Sequence, residues 1–430
     1  MSISQYTTEY LRKHQILPLQ IRDLPDPDLA LVVTIPSHDE PDLLRTLESV
    51  SACPRPQDAV EVIVGLNLSE CSSSEQRARY KRYLTEAQAF AAKYSARGYR
   101  IHVLDYPKLP KRHAGVGLAR RLIMDEAVAR LCAAGNDDGI IACLDADCTV
   151  ASDYLQQLLL HFRTHPRSPA CSIHYEHSLH GDDNDRSIRA GIVRYELYLR
   201  YYVHALRYAG FPYAFQTLGS SMAVRSDVYQ REGGMNRRQA GEDFYFLSKV
   251  IALGGFSELR NTTVYPSPRV SHRVPFGTGR AMGEWIARDQ SDWLVYPLAA
   301  FESVRSLCPH TARLWYVPSS DAAELAWIYP ALAQYLDENH FREQLARIRA
   351  NAASAVTFEK HFFRWFNGLR ILKFLHWLRA QGQVQSPIES AAAELLRRAG
   401  RLESTSDVSA ESLLRHYRRL DRNGDRLRFN

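Results

Sequence analysis

Apolar positions along this chain follow two alternating periods. Residues 31–35, 60–64, 101–104 and 140–144 are short apolar runs with the length and content of buried strands. Between them, 41–51, 74–96 and 117–133 read as helices. The second of these starts at a serine cluster and stops before Gly98. Strands alternating with helices predict an α/β fold with a mostly parallel sheet flanked by helices. From 187 to 208 the period is helical throughout. Ile188, Ile192, Tyr195, Leu199, Tyr202 and Leu206 recur at steps of four and three, which predicts a core-facing stripe. Residues 1–27 read as a short helical arm followed by a proline-rich entry. Beyond 280 the strand signals vanish. Residues 282–307, 321–336, 341–355, 358–380 and 388–402 read as helices. The expected organisation is therefore an N-terminal helical arm over 1–27, an α/β domain over 28–280 and an all-helical C-terminal region over 281–430.

Composition narrows the class without naming a chemistry. With 430 residues, 45% hydrophobic and 24% charged, the chain is long enough for two or three domains and ordinary for a globular protein. No apolar run approaches the roughly 20 residues that span a bilayer, and residues 1–11 lack a signal-peptide pattern. Seven cysteines are scattered with no Cys-x-x-Cys pair. That argues for a reducing compartment and against structural zinc, so a cytoplasmic location is expected. The net charge of +6 is uneven: residues 341–430 hold 17 Lys and Arg against 9 Asp and Glu, and the remainder is slightly acidic. Within that basic part, Arg364, Arg370, Lys373 and Arg379 sit among Phe362, Trp365, Phe366, Phe374 and Trp377. The segment reads either as a helical subdomain or as a basic amphipathic helix touching the inner face of an anionic membrane. Nothing in the pattern points to a nucleic-acid partner.

Candidate chemistry appears where the 140–144 strand should end. Asp145 and Asp147 follow it at positions i and i+2. Two short-spaced carboxylates there suit a hard divalent cation, Mg²⁺ or Mn²⁺, which takes one or two protein oxygens plus substrate phosphates. Ligands of open α/β sheets bind beyond the carboxyl ends of the strands. The same pattern also fits a plain turn with helix-capping acids. Downstream lie Leu218-Gly219-Ser220-Ser221, a small-residue turn running into a strand, then Gly241-Glu242-Asp243 at a helix start, then Val270-Ser271-His272-Arg273. Asp421-x-Asn423-x-Asp425 imitates the start of a calcium loop, but Arg426 occupies the position that needs glycine.

The order of these motifs, with 96 residues between Asp147 and Asp243, resembles glycosyltransferase family 2, inverting enzymes of the GT-A (Rossmann-like) fold. The resemblance covers roughly 28–275 and includes Val32-Val33-Thr34-Ile35-Pro36-Ser37-His38-Asp39-Glu40 as the opening strand and nucleotide loop. It implies a nucleotide-diphosphate sugar donor, a carbohydrate or lipid-linked hydroxyl acceptor and a divalent cation. Asp147 would ligate the metal, Asp145 would reach the ribose or the metal's outer shell, and His272 would be a third ligand. Asp243 would be the general base, with Glu242 orienting the acceptor. Pro36, Ser37, His38, Glu40 and Asn67 would hold the nucleotide. Asn67 stands where the family usually has Asp. Gly219, Ser220 and Ser221 would line the sugar side, and Lys111, Gly115 and Arg120 would approach the diphosphate, with Arg121 where the family often has Asn. Two other functions remain open at this stage: a sugar-phosphate nucleotidyltransferase, and a non-catalytic sugar- or membrane-binding module.

Overall fold

The computed structural model describes residues 5–95, 100–179, 186–271, 277–288, 292–316, 325–403, 406–425 and 427. The chain divides into two compact units. One holds residues up to 184 together with 217–284; the other holds 185–216 with 285–430.

The first unit is built on eight strands: β1 (Leu29–Ser37), β2 (Ala59–Ser69), β3 (Arg100–Leu109), β4 (Ile140–Cys143), β5 (Thr149–Val150), β6 (Ala170–Tyr175), β7 (Met222–Arg225) and β8 (Ser257–Tyr265). They form one sheet in the order β3-β2-β1-β4-β7-β6-β8-β5. β3, β2, β1 and β4 run parallel. β7 is antiparallel to both β4 and β6, so β6 and its parallel neighbour β8 point the same way as β4. The expected α/β class and mostly parallel sheet are observed. β4 is buried at every position and β1 at all but one, as strands covered on both faces must be. Helix Val116–Ala133 packs on β1 and β2, and Ser74–Ser95 on β3. The first strand is longer than its apolar run suggests: it continues through Pro36 and Ser37, both buried and in register with Gly65 and Leu66.

The N-terminal helix Gln5–His14 is tied into this unit by a buried polar knot. Thr7 donates to Gln230 at 2.9 Å and Tyr10 to Asp125 at 2.8 Å. Arg121 donates to the carbonyls of Gly233 and Met235, each at 2.7 Å, and to that of His14 at 3.1 Å. A basic residue at 121 thus has an internal task, donating to loop and helix-end carbonyls.

The second unit is mainly helical. The stripe expected over 187–208 forms the helix Arg186–Tyr208, with Ile192, Tyr195 and Leu206 buried. Burial extends round the helix to Glu196, Arg200 and His204. Two expectations for this region are corrected. First, strands do occur after residue 280: β9 (Leu294–Val295) pairs antiparallel with β10 (Ser386–Pro387). Two-residue strands are too short to show a period. Second, the helix expected over 358–380 is two helices, Ala355–Trp365 and Gly368–Ala380. Asn367 caps the latter by accepting the Arg370 N–H at 3.1 Å. Phe358, Phe362, Phe366, Ile371, Phe374 and Leu375 are fully buried in this unit. These phenylalanines are committed to a protein core, Trp365 and Trp377 are half-buried, and Arg364, Lys373 and Arg379 stay exposed. No described helix is long and apolar enough to cross a membrane.

Candidate active site

The Asp145–Asp147 segment hangs from its neighbours by backbone contacts. The Leu144 N–H donates to the Thr34 carbonyl at 3.1 Å, which extends the β1–β4 pairing one residue past the strand. The Cys148 N–H closes a turn onto the Asp145 carbonyl at 3.1 Å, and the Thr46 hydroxyl holds the Ala146 carbonyl at 2.8 Å. Ala146 points inward, buried, so both flanking aspartates project from the turn, with side chains 37% (Asp145) and 26% (Asp147) exposed.

Arg120 joins this turn to the acidic pair downstream. It lies one turn into the helix Val116–Ala133 and is only 3% exposed. One Nη donates to Asp145 and the other to Glu242 Oε1 at 2.7 Å. Gly219 is the reason the guanidinium fits, because a methyl there would overlap Arg120. Burial works against the charge of Arg120, but Asp145, Glu242 and Asp243 outweigh it and raise its pKa. The acids respond differently. Burial pushes Glu242 up to about 7 despite Arg120, with Asp243 adding to the rise. Burial likewise raises Asp243.

Glu242 and Asp243 open the helix Glu242–Ile251, which follows Gly241 in the left-handed region at φ 70°. Asp243 is held at both oxygens. Oδ2 accepts from the Gly219 N–H at 2.8 Å and Oδ1 from its neighbour Phe244 at 2.7 Å. Glu242 is 2% exposed and turned toward Arg120. The structure therefore brings together Arg120, Asp145, Gly219, Glu242 and Asp243. Ser220 and Ser221 are buried beside Gly219, their hydroxyls 3.4 Å apart.

A second set gathers at the ends of β1 and β4. Arg269 donates to Glu40, lies 3.3 Å from Asp42 and 3.9 Å from Asp147. Glu40 is 3% exposed. His38 Nδ1 is 3.0 Å from the Asn67 carbonyl, and Asn67 donates through Nδ2 to the Ser37 carbonyl at 3.1 Å. Asn67 thus ties the ends of two parallel strands together. Asp39, at φ 49°, takes both donors of Arg79 at 2.7 and 2.8 Å. Arg269 and Arg79 were missed by the sequence reading. Neither belongs to a motif, and only the fold brings them to the acids.

Lys111 and Gly115 flank the start of the helix that carries Arg120. A Cβ at Gly115 would come 2.7 Å from the Gln239 backbone, and one at Gly117 would overlap the Arg238 carbonyl. The glycines admit the 236–239 backbone. His272 lies outside the described residues. Among the described residues no cluster of three or more His, Cys, Asp or Glu is arranged to hold a metal ion. The two aspartates alone still fit a hard cation: both project from one turn, both are partly exposed, and their donors are oxygens of the kind Mg²⁺ and Mn²⁺ share with substrate phosphates.

Residues 32–230 match the family model described as Glycosyl transferase family 2. Among solved structures the chain is similar to S. aureus TarS 1-349 in complex with UDP-GlcNAc, at 13% identity over 82% of this chain and 92% of that one, with a TM-score of 0.40. It is also similar to the mannosyltransferase PcManGT from Pyrobaculum calidifontis in complex with GDP-Man and Mn²⁺, at 14% identity over 97% and 93%, TM-score 0.36. GalNAc-T7 with UDP, GalNAc and Mn²⁺ is similar at 14% identity over 77% and 56%, TM-score 0.36. Likenesses this distant carry no argument about chemistry. No curated protein matches the chain.

Proposed function

We propose that the chain is a glycosyltransferase, as the match of residues 32–230 to the Glycosyl transferase family 2 model supports, and that it moves a sugar from a nucleotide-diphosphate donor to a hydroxyl acceptor with inversion, Asp243 serving as the base. The observation that carries this reading is the single buried guanidinium of Arg120. It fixes Asp145, at the strand end where a donor would bind, relative to the Glu242–Asp243 pair, where an acceptor would lose its proton. Direct displacement needs those two places held in line. Asp243 suits the role of base because burial raises its pKa, and two backbone N–H groups fix its carboxylate. Glu242 would act through Arg120, keeping the pair in place. The acceptor itself is a carbohydrate or lipid-linked hydroxyl.

A divalent cation, when bound, would supply positive charge to the leaving diphosphate. Asp147 and Asp145 would hold it, joined by His272 if that residue reaches the site. His38 and Glu40 would contact the nucleotide, with Pro36, Ser37 and Asn67 shaping the strand ends beneath it. Ser220 and Ser221 would face the sugar beyond Gly219. Any contact with an anionic membrane would rest mainly on exposed charge, since the phenylalanines around it are buried and Trp365 and Trp377 half-buried. The nucleotidyltransferase and binding-module alternatives lose their ground to the family match.

The deciding experiment is Asp243→Asn. Donor binding should stay near the parental value while transfer falls roughly 10²–10⁴-fold, the scale of positioned acid–base catalysis. Transfer at the parental rate would remove Asp243 from the mechanism. Asp147→Asn should abolish the Mn²⁺ dependence of nucleotide binding while the fold survives. Unchanged metal-dependent binding would reassign the ligand.

A further inference from the structure

Two stretches without a single acidic residue meet beside the acid pair: 106–124 and 233–241. They touch along their backbones. The Gln239 side-chain amide donates to the carbonyls of Lys111 and Arg112 at 3.4 Å each, and Gly115 leaves room for the Gln239 backbone. Lys111, Arg112, Arg237 and Arg238 are all exposed on the paired segments. Glu70 accepts from the Lys111 backbone N–H at 2.9 Å. Among the described residues no carboxylate pairs with any of these four side chains. Other exposed arginines of this unit do have such a partner, as Arg231 does with Asp227 and Arg280 with Glu284.

One of the four is held in place. The Arg238 guanidinium lies 3.8 Å from the centroid of Tyr245, two residues past Asp243. Asn236, on the same loop, donates to the Glu242 carbonyl at 3.0 Å. The basic edge is therefore part of the structure that presents the base. A guanidinium stacked on an aromatic ring loses little freedom when it takes up an oxyanion, and its fork matches phosphate oxygens. Four unneutralised cations call for more than one negative charge, and a phosphomonoester carries about −1.5 to −2 at pH 7.

We propose that the acceptor carries a phosphate group, bound by Lys111, Arg112, Arg237 and Arg238 beside Tyr245 while its hydroxyl faces Asp243. The inference rests on the transfer reaction proposed above and names the class of its acceptor. It gives Arg112, Arg237 and Arg238 a task that the donor side does not, and moves Lys111 from the donor diphosphate, where the family resemblance would put it, to the acceptor.

The test separates donor from acceptor. With UDP and Mn²⁺ saturating, binding of a fluorescent oligosaccharide bearing one phosphomonoester is compared with the same molecule after phosphatase treatment and with a carboxylate-bearing analogue. The intact protein should prefer the phosphorylated probe on the order of ten-fold over the neutral one, less so as salt rises, with the carboxylate between them. Arg237→Ala/Arg238→Ala should bind UDP normally and lose that preference, and Arg237→Glu/Arg238→Glu should reverse it. Normal UDP binding with no preference in the intact protein would overturn the inference, as would a preference that survives both double variants. Loss of UDP binding in the double variants would overturn it too, assigning the edge to the donor diphosphate. If the intact protein binds neither UDP nor GDP, tried in its place, the transfer reaction itself falls, a different result from the other three.

Discussion

In each unit of the molecule a buried arginine bridges two carboxylates, Arg120 in the first and Arg200 in the second, and these two clusters have opposite surpluses. In the first unit Arg120 serves Asp145 and Glu242, with Asp243 adjacent: three acids and one cation. In the second, Arg200, only 1% exposed, serves Glu196 at 2.8 Å and also Asp421. There Arg418 adds a second contact to Glu196 at 2.6 Å, His204 lies 2.7 Å from Asp421 and Arg207 lies 3.9 Å from it. Cations outnumber acids. The consequence shows in the acids. Burial pushes Glu242 up, while for Asp421 the pull of His204, Arg200 and Arg207 overcomes burial and lowers it. A cluster rich in acid is ready to take up a proton or a cation. A cluster rich in cations keeps its acids ionised and staples helix Arg186–Tyr208 to helix Ala410–Asn423. The same pair of residue types therefore marks the proposed catalytic site in one place and a fastening in the other.

The sharpest way to break this contrast is to remove each arginine. Arg120→Met leaves Glu242 buried without its cation and should lower stability by about 3–5 kcal/mol in denaturant titration. Adding Glu242→Gln should restore a good part of it. Arg200→Met should cost less, about 1.5–3 kcal/mol, the scale of hydrogen bonds to charged groups. Arg418, Arg207 and His204 remain to neutralise the acids. Equal losses would mean that the charge surplus is irrelevant. Next in size is Gly219→Ala. Its methyl meets the buried guanidinium directly, so a cost of about 1–3 kcal/mol is expected, typical of overpacking.

The smallest effect is in pH, and it has opposite signs at Glu242 and Asp421. A carboxyl whose folded pKa is raised binds more protons folded than unfolded, so its contribution weakens as pH rises. For Glu242 that window runs from about 4.5 to about 7. It should change stability by less than about 1.4 kcal/mol per pH unit. Asp421 is depressed, so its contribution is present above the ordinary 3.8 and lost as pH falls through its folded value. Denaturation of Glu242→Gln across pH 4.5–7 should lack part of the downward slope of the parent, and Asp421→Asn should be less sensitive than the parent below pH 4. Parallel profiles for parent and variants would show that neither acid titrates as described.

These clusters also show what the sequence could reveal. The strands and helices of the first unit were legible because apolar runs and capping residues are local signals. The aspartate pair and Glu242–Asp243 were legible as motifs. Arg120 was visible as a basic residue near a helix start, but its two acid partners lie 25 and 122 residues away, and no local pattern encodes them. The Gly219 signal was present as a small-residue turn without a stated reason. In the second unit a local signal did exist. Glu196, Arg200 and His204 stand four apart on one helix face, but the apolar stripe beside them drew the reading to packing alone. Asn367-Gly368 was a visible break that the surrounding aromatics obscured.

The knot at the N-terminal helix sets an order of events during synthesis. Thr7 waits for Gln230, 223 residues later. At roughly 5–20 residues per second the ribosome needs on the order of 10–45 s to deliver that partner. Throughout that interval helix Gln5–His14 has no finished seat, and Arg121 still lacks the carbonyls of Gly233 and Met235. Helix Gln5–His14 therefore finishes docking only after the chain through Met235 has emerged, while β8 is still to be made.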